Sequence, residues 1–206
     1  MSLELRAERT ALLVLDLQNY GVHPDGYWMS QTPGGVERIA PSLARTVEAL
    51  EAARAAQIAI VHVGNAWRDG HPDVNRYTPW MRDAKAAGRS VQDTWGTEFF
   101  EPVAPIDGEF VVHKRAVSAF SGTELDRLLR VRDIFTIALA GSITNFAVEG
   151  TAREASDRGY RVLILKDCCE SVSDEWQDFS MTQILPMIAE IVTVADFGGA
   201  LKRSRG

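Results

Sequence analysis

Apolar residues in this chain fall into short unbroken runs, separated by longer stretches in which they recur every three or four positions. The runs Ala11–Leu17, Ile58–Val63, Phe110–His113, Ile134–Ala140, Val162–Leu165 and Ile191–Val194 read as buried strands. Between the first two, Ile39, Leu43, Val47, Leu50 and Ala53 keep helical spacing, which predicts a helix within Val36–Gln57. Pro41 places the start of its regular part near Pro41 itself. Thr123–Arg130, Asn145–Arg158 and Asp174–Ile188, with Pro186 near its end, also read as helices, and a last one begins at about Ala195. The stretch from Gly64 to Gly108 is rich in Gly, Pro, Asp and aromatics and predicts a long connection with one short helix near Thr78–Ala86. Connections of that length are usually functional or interaction elements.

Strands alternating with helices imply parallel βαβ units with helices on both faces of the sheet. The expected fold is a three-layer α/β/α domain with a mostly parallel, doubly wound sheet, taking in residues 1–206 as a single domain. Ligands in such sheets sit beyond the carboxyl ends of the strands, so chemistry is to be sought there.

Composition narrows the function. A length of 206 residues suits one large domain, and a 46% apolar content argues for a packed core rather than disorder. A net charge of −6 disfavours nucleic acid and anionic membrane surfaces as partners. Asp16 cuts the first apolar run short of a signal peptide, and no run reaches membrane-spanning length, so a cytoplasmic location is expected. The two cysteines, Cys168 and Cys169, are adjacent; that spacing suits neither a metal site nor a disulfide and reads as packing at a strand end.

Three predicted strand ends carry polar residues. Asp16 closes the first run, and a carboxylate buried there has the chemistry of a general acid or base, although an Asp capping loop amides has the same look. His113-Lys114-Arg115 closes the third run; Lys114 could hold a neighbouring carboxylate charged or stabilise charge on substrate, and a solvated basic cluster is the alternative. Gly141-Ser142-Ile143-Thr144-Asn145 follows the fourth run into a helix, a turn whose unpaired N–H groups suit an oxyanion. Such turns also occur without any catalytic role.

Together, "LLVLDLQN", "VVHKRAVSAFSGTEL" and "LAGSITNFAVEGTAREASDRGY", with "HPDG" and "KDCCES", resemble the cysteine-hydrolase branch of the isochorismatase-like superfamily, from about Thr10 to Phe197. That superfamily includes nicotinamidase, N-carbamoylsarcosine amidase and ureidoacrylate amidohydrolase. The resemblance implies a triad of Asp, Lys and Cys, in which Asp16 moves protons, Lys114 biases their placement and the Cys attacks a carbonyl. It further implies a cis peptide at Ser142–Ile143 and an oxyanion hole made of the amides of Ile143 and residue 147. It implies a homodimer or homotetramer as well.

This chain departs from the pattern at one position. Where the motif reads Thr-Asn-x-Cys-Val-Glu, the chain has Ala147 in the nucleophile position. Either the cysteine was removed by engineering, or the chain is a natural Cys-less enzyme in which Asp16 works as acid or base on a vinyl ether or a water. The leading expectation is hydrolysis of an amide, ureido or carbamoyl C–N bond in a small molecule. A non-catalytic small-molecule binding protein is a further alternative. Some nicotinamidase relatives hold a divalent metal through Asp-x-His and a further His; Asp69-Gly70-His71 has the local spacing, but no suitable second histidine follows, so neither metal nor cofactor is expected. Tyr20, Trp67, Trp80, Trp95 and Phe120 are the aromatic candidates for a pocket wall. The predicted pocket consists of Gln18, Tyr20, Trp67, Phe120 and Asn145.

Overall fold

The computed structural model describes residues 3–204. One sheet holds six strands: β1 (Thr10–Leu15), β2 (Ala59–Asn65), β3 (Phe110–Lys114), β4 (Thr136–Ser142), β5 (Arg161–Glu170) and β6 (Glu190–Val192). Their order is β3-β2-β1-β4-β5-β6, and each neighbouring pair is parallel. The chain thus crosses the sheet one way from β1 to β3, then returns to the far side of β1 for β4 to β6. Between β1 and β4 the strand order reverses, which opens a crevice at their carboxyl ends.

Strand alternation fills two cores. Ala11, Leu13 and Leu15 of β1 face one layer, and Leu12 and Val14 face the other. The first layer is closed by α5 (Leu125–Arg130) and α6 (Glu149–Asp157), through Leu125, Leu129, Ala152 and Ala155. The second is closed by α3 (Gly35–Ala56) and α8 (Val194–Arg203), through Ile39, Leu43, Leu50, Phe197 and Leu201. The doubly wound α/β expectation holds. Shorter helices α1 (Asn19–Val22), α2 (Tyr27–Gln31), α4 (Pro79–Ala86) and α7 (Asp174–Phe179) lie outside these layers' long elements.

Some boundaries differ from the sequence reading. Helix α3 begins at Gly35 and runs through Pro41, which sits on its exposed face, where water can satisfy the carbonyl left without a donor. Strand β5 continues past Leu165 to Glu170, because Leu139–Gly141 of β4 pairs with Ile164–Cys169 and the surplus residues bulge out. The predicted helix 174–188 is regular only in α7, after which its turns widen and then tighten into a last turn, Leu185–Met187, that contains Pro186. Helices α1 and α2 were not predicted; each is too short to show a period. Segment 64–108 is tied down by bridges from Trp67 to Val91 and from Gln18 to Phe99. Among the described residues, no helix is long and apolar enough to cross a membrane.

Candidate active site

Asp16 leaves the end of β1 with φ 57, a left-handed conformation that few residues other than glycine adopt, while its amide still donates to the Val63 carbonyl at 2.8 Å. Lys114, the last residue of β3, is 1% exposed and reaches Asp16 Oδ2 at 2.9 Å. Its Nζ also donates to the carbonyls of Ala116 (3.1 Å) and Val117 (2.9 Å). Three acceptors match the three N–H bonds of an ammonium group. Burial raises the pKa of Asp16 above the usual carboxylate value, against the opposing pull of Lys114. Asp16 Oδ1 is buried and has no hydrogen-bond partner. The pair therefore has one oxygen clamped and one oxygen free. Neither bland alternative fits: Asp16 caps no loop through its side chain, and Lys114 is not solvated.

The turn after β4 forms the opposite wall. Gly141 has φ 144, and a Cβ there would collide with the carbonyl of Leu15, so close passage of β4 beside β1 requires glycine. The peptide Ser142–Ile143 is cis. Helix formation then starts with a wide turn, Phe146 N donating to Ile143 O at 3.1 Å and Val148 N to the same oxygen at 3.4 Å. Ala147 is buried in this turn.

Asp16, Lys114, Ser142, Ile143 and Ala147 line one cavity of about 120 Å³, which suits a small molecule. Tyr20, Trp28, Met29, Ile39, Trp80 and Phe146 give it apolar walls, and Arg38, Asn65, Glu170 and Ser171 add polar groups. The Tyr20 hydroxyl accepts from Asn65 Nδ2 at 3.3 Å, and its pKa is raised by burial and by the nearby Asp16. Arg38 is paired with Glu170 (3.2 Å) and Asp174 (2.7 Å).

Four predicted pocket residues stand elsewhere. Gln18 is fully buried and grips the backbone of Asn65, donating to its carbonyl (3.1 Å) and accepting from its amide (2.8 Å), with a further bond to Thr97 O. Trp67 packs with Trp80 and Met81 behind the wall. Phe120 belongs to the core and stacks near Tyr160. Asn145 is one contact removed, since its Oδ1 accepts from the hydroxyl of the lining residue Ser171. Closeness in sequence to a strand end does not fix which side of the chain a side chain takes. Tyr20 alone of that set lines the cavity.

Cys168 and Cys169 point into opposite cores, with their thiols pushed up by burial, that of Cys169 to about 12. They are packing residues. His71 is buried with Nε2 2.7 Å from the Arg89 carbonyl, and Asp69 accepts from the amide of Gly70. Among the described residues, no group of three or more His, Cys, Asp or Glu is placed to hold a metal.

Sequence reasoning missed Asn65, Arg38, and Glu170 with Ser171, whereas Trp80, one of its aromatic wall candidates, does line the cavity. Asn65 had a usable signal, for it is a polar residue closing an apolar run, as Asp16 is. Glu170 had none, because Lys166-Asp167 interrupts the run that carries it.

The isochorismatase domain family matches residues 10–196. The chain is 26% identical to a ureidoacrylate amidohydrolase, RutB, of Azorhizobium caulinodans over 95% of its own length and 91% of that protein's. Its fold superposes on a cysteine hydrolase from Pseudomonas syringae pv. phaseolicola with a TM-score of 0.87 at 27% identity, covering 98% and 96% of the two chains. An N-carbamoylsarcosine amidase from Thermoplasma acidophilum is similar with a TM-score of 0.72 at 27% identity, covering 90% and 96%.

Proposed function

This chain belongs to the isochorismatase family and is a hydrolase of that family, and from that premise we propose that it acts on a C–N bond, in an amide, ureido or carbamoyl group of a small molecule. Two similar proteins bear the names of amide-cleaving enzymes, an ureidoacrylate amidohydrolase and an N-carbamoylsarcosine amidase. The observation that carries the reading is the buried Asp16–Lys114 pair, with Asp16 Oδ1 unpartnered, in the cavity that Ala147 also lines.

With a cysteine at position 147, Asp16 Oδ1 would take the thiol proton as sulfur attacks the carbonyl carbon, and would then deliver it to the departing nitrogen. The amides of Ile143 and residue 147 would hold the oxyanion. Lys114 keeps Asp16 able to ionise in spite of burial. The methyl of Ala147 offers no such nucleophile.

A second reading keeps Asp16 as the working group without cysteine, acting on a water or protonating an acid-labile bond such as a vinyl ether. The raised pKa and free oxygen of Asp16 favour it, since burial strengthens the hold of this carboxyl on a proton and the free oxygen leaves it open to substrate or water.

Mass spectrometry of Ala147→Cys with a panel of small amides and ureides separates the two, with the unmodified protein as control. Turnover or a covalent adduct in the cysteine form alone supports the C–N reading. Activity already present with Ala147, or none gained, moves the assignment to Asp16 chemistry.

A further inference from the structure

The cavity contains polar atoms that no protein group meets. Asp16 Oδ1 and Asn65 Oδ1 are both buried acceptors without a partner, and the buried indole N–H of Trp80 is a donor without one. All three residues line the cavity. A buried polar atom left unpaired is costly, so a group that pairs with it on binding gains more than an exposed contact would. Two unpaired acceptors on residues of one lining call for N–H groups on the ligand.

Asn65 is set in place with unusual care. It is 5% exposed, and the Gln18 side chain holds both its amide and its carbonyl. Gly64 leaves the room that Gln18 needs, since a Cβ there would overlap the Gln18 amide. Its own Nδ2 is occupied by the Tyr20 hydroxyl, which turns Oδ1 into the free end.

The charges of the lining are committed. Lys114 spends its three donors on Asp16, Ala116 and Val117. Arg38, the other cationic side chain of the lining, is held by two carboxylates, Glu170 and Asp174. These two ion-paired groups together carry an excess of negative charge. A substrate carboxylate would find each cation already paired with a carboxylate and would face that excess.

We infer that Asn65 is a specificity-determining residue that reads N–H groups of the substrate beside Asp16, and that the Arg38–Glu170–Asp174 cluster restricts the site to substrates whose body carries no negative charge. The inference rests on the C–N reading for the reacting group. The apolar walls of Trp28, Ile39, Trp80 and Phe146 fit such an uncharged body.

Calorimetric titration of the unmodified protein tests it, since Ala147 leaves the ligand intact by the thiol route. The probes are small primary aryl and alkyl amides, each with its N,N-dimethyl and carboxylate counterpart. The expected result is about tenfold tighter binding of at least one primary amide than of either counterpart. Asn65→Leu should abolish the preference over the dimethyl form, and Asn65→Asp, which keeps an acceptor, should retain it. Glu170→Gln combined with Asp174→Asn should free Arg38 and tighten the carboxylate about tenfold. Circular dichroism melting establishes that each variant is folded.

The inference is overturned if no amide, bound or unbound, outperforms its dimethyl counterpart, or if the preference survives in folded Asn65→Leu. It is equally overturned if carboxylates bind the unmodified protein as well as amides do. Turnover of the same amides by Ala147→Cys is followed separately. Turnover without dependence on Asn65 ends this inference and leaves the hydrolase reading standing, whereas Asn65-dependent binding without turnover ends the C–N reading alone.

Discussion

At the scale of single residues the decisive contact is that of Asp16 with Lys114. Asp16 has a folded pKa above its ordinary 3.8, with burial as the largest cause. The contribution of a carboxyl raised in this way to stability is fully present below pH 3.8 and is lost as pH rises through the folded value. If Asp16 must be ionised for catalysis, the acid limb of the pH–rate profile lies above the ordinary carboxylate range. Removing the cation should move it further up. Lys114→Met is therefore expected to raise the acid limb of kcat/KM and to lower activity at neutral pH by about 100-fold. It is also expected to cost about 3 kcal/mol in denaturant unfolding at pH 7, because one buried charge is left alone. That deficit should shrink on acidification, as Asp16 takes up a proton; an unchanged deficit would show that the pair does not hold Asp16 charged.

At the scale of elements, strands are brought together by residues that lack something. Gly141 lacks a Cβ where β4 passes Leu15, and its φ of 144 suits no other residue. Gly141→Ala is expected to lose at least about 3 kcal/mol, read from the denaturant midpoint, with the turn 142–147 displaced and activity lost alongside. Pro41 lacks a donor in the middle of α3, on its solvent face. Pro41→Ala restores that donor and should stabilise the protein by about 1 kcal/mol or more without altering activity. A Pro41→Ala protein no more stable than its parent would mean that α3 is already fully relaxed around the proline. The shift of β5 against β4 is the element-scale feature that carries Glu170 and Ser171 to the cavity.

At the scale of the whole molecule, acid stability depends on a buried cluster at the opposite side of β2. His62 lies 2.9 Å from Glu109, which is also bound by Arg54 at 2.7 Å and by the amide of Ile106 at 3.0 Å. His62 has its pKa lowered from 6.5, chiefly by burial. Its contribution is present above pH 6.5 and lost as pH falls through the folded value. Glu109 is lowered from 4.5, where burial, the largest influence, is outweighed by Arg54, Ile106 and His62; its contribution is present above pH 4.5 and lost below. Tm should therefore fall from pH 7 towards pH 4, and His62→Phe should flatten the upper part of that fall. A Tm independent of pH in that range would contradict the assignment. The homo-oligomer implied by the family resemblance is a proposal of the same scale, and an elution mass equal to one 22.7 kDa chain would refute it.

The sequence by itself determined the alternation of strands and helices, hence the α/β class, because burial on both faces of a sheet writes continuous apolar runs into the chain. It also marked Asp16, Lys114 and the turn at 141–147, since polar residues closing such runs must lie at the carboxyl edge of a parallel sheet. The tertiary structure alone decided which neighbours of these residues face the cavity. Gln18 turns inward to hold Asn65, Trp67 and Phe120 join the cores, and Asn145 stops one contact short. Arg38, Trp80 and Glu170 come from three distant segments to replace them. Spacing along a chain fixes the face of an element, but a cavity is enclosed by several elements, and their mutual packing leaves no periodic trace in any one of them.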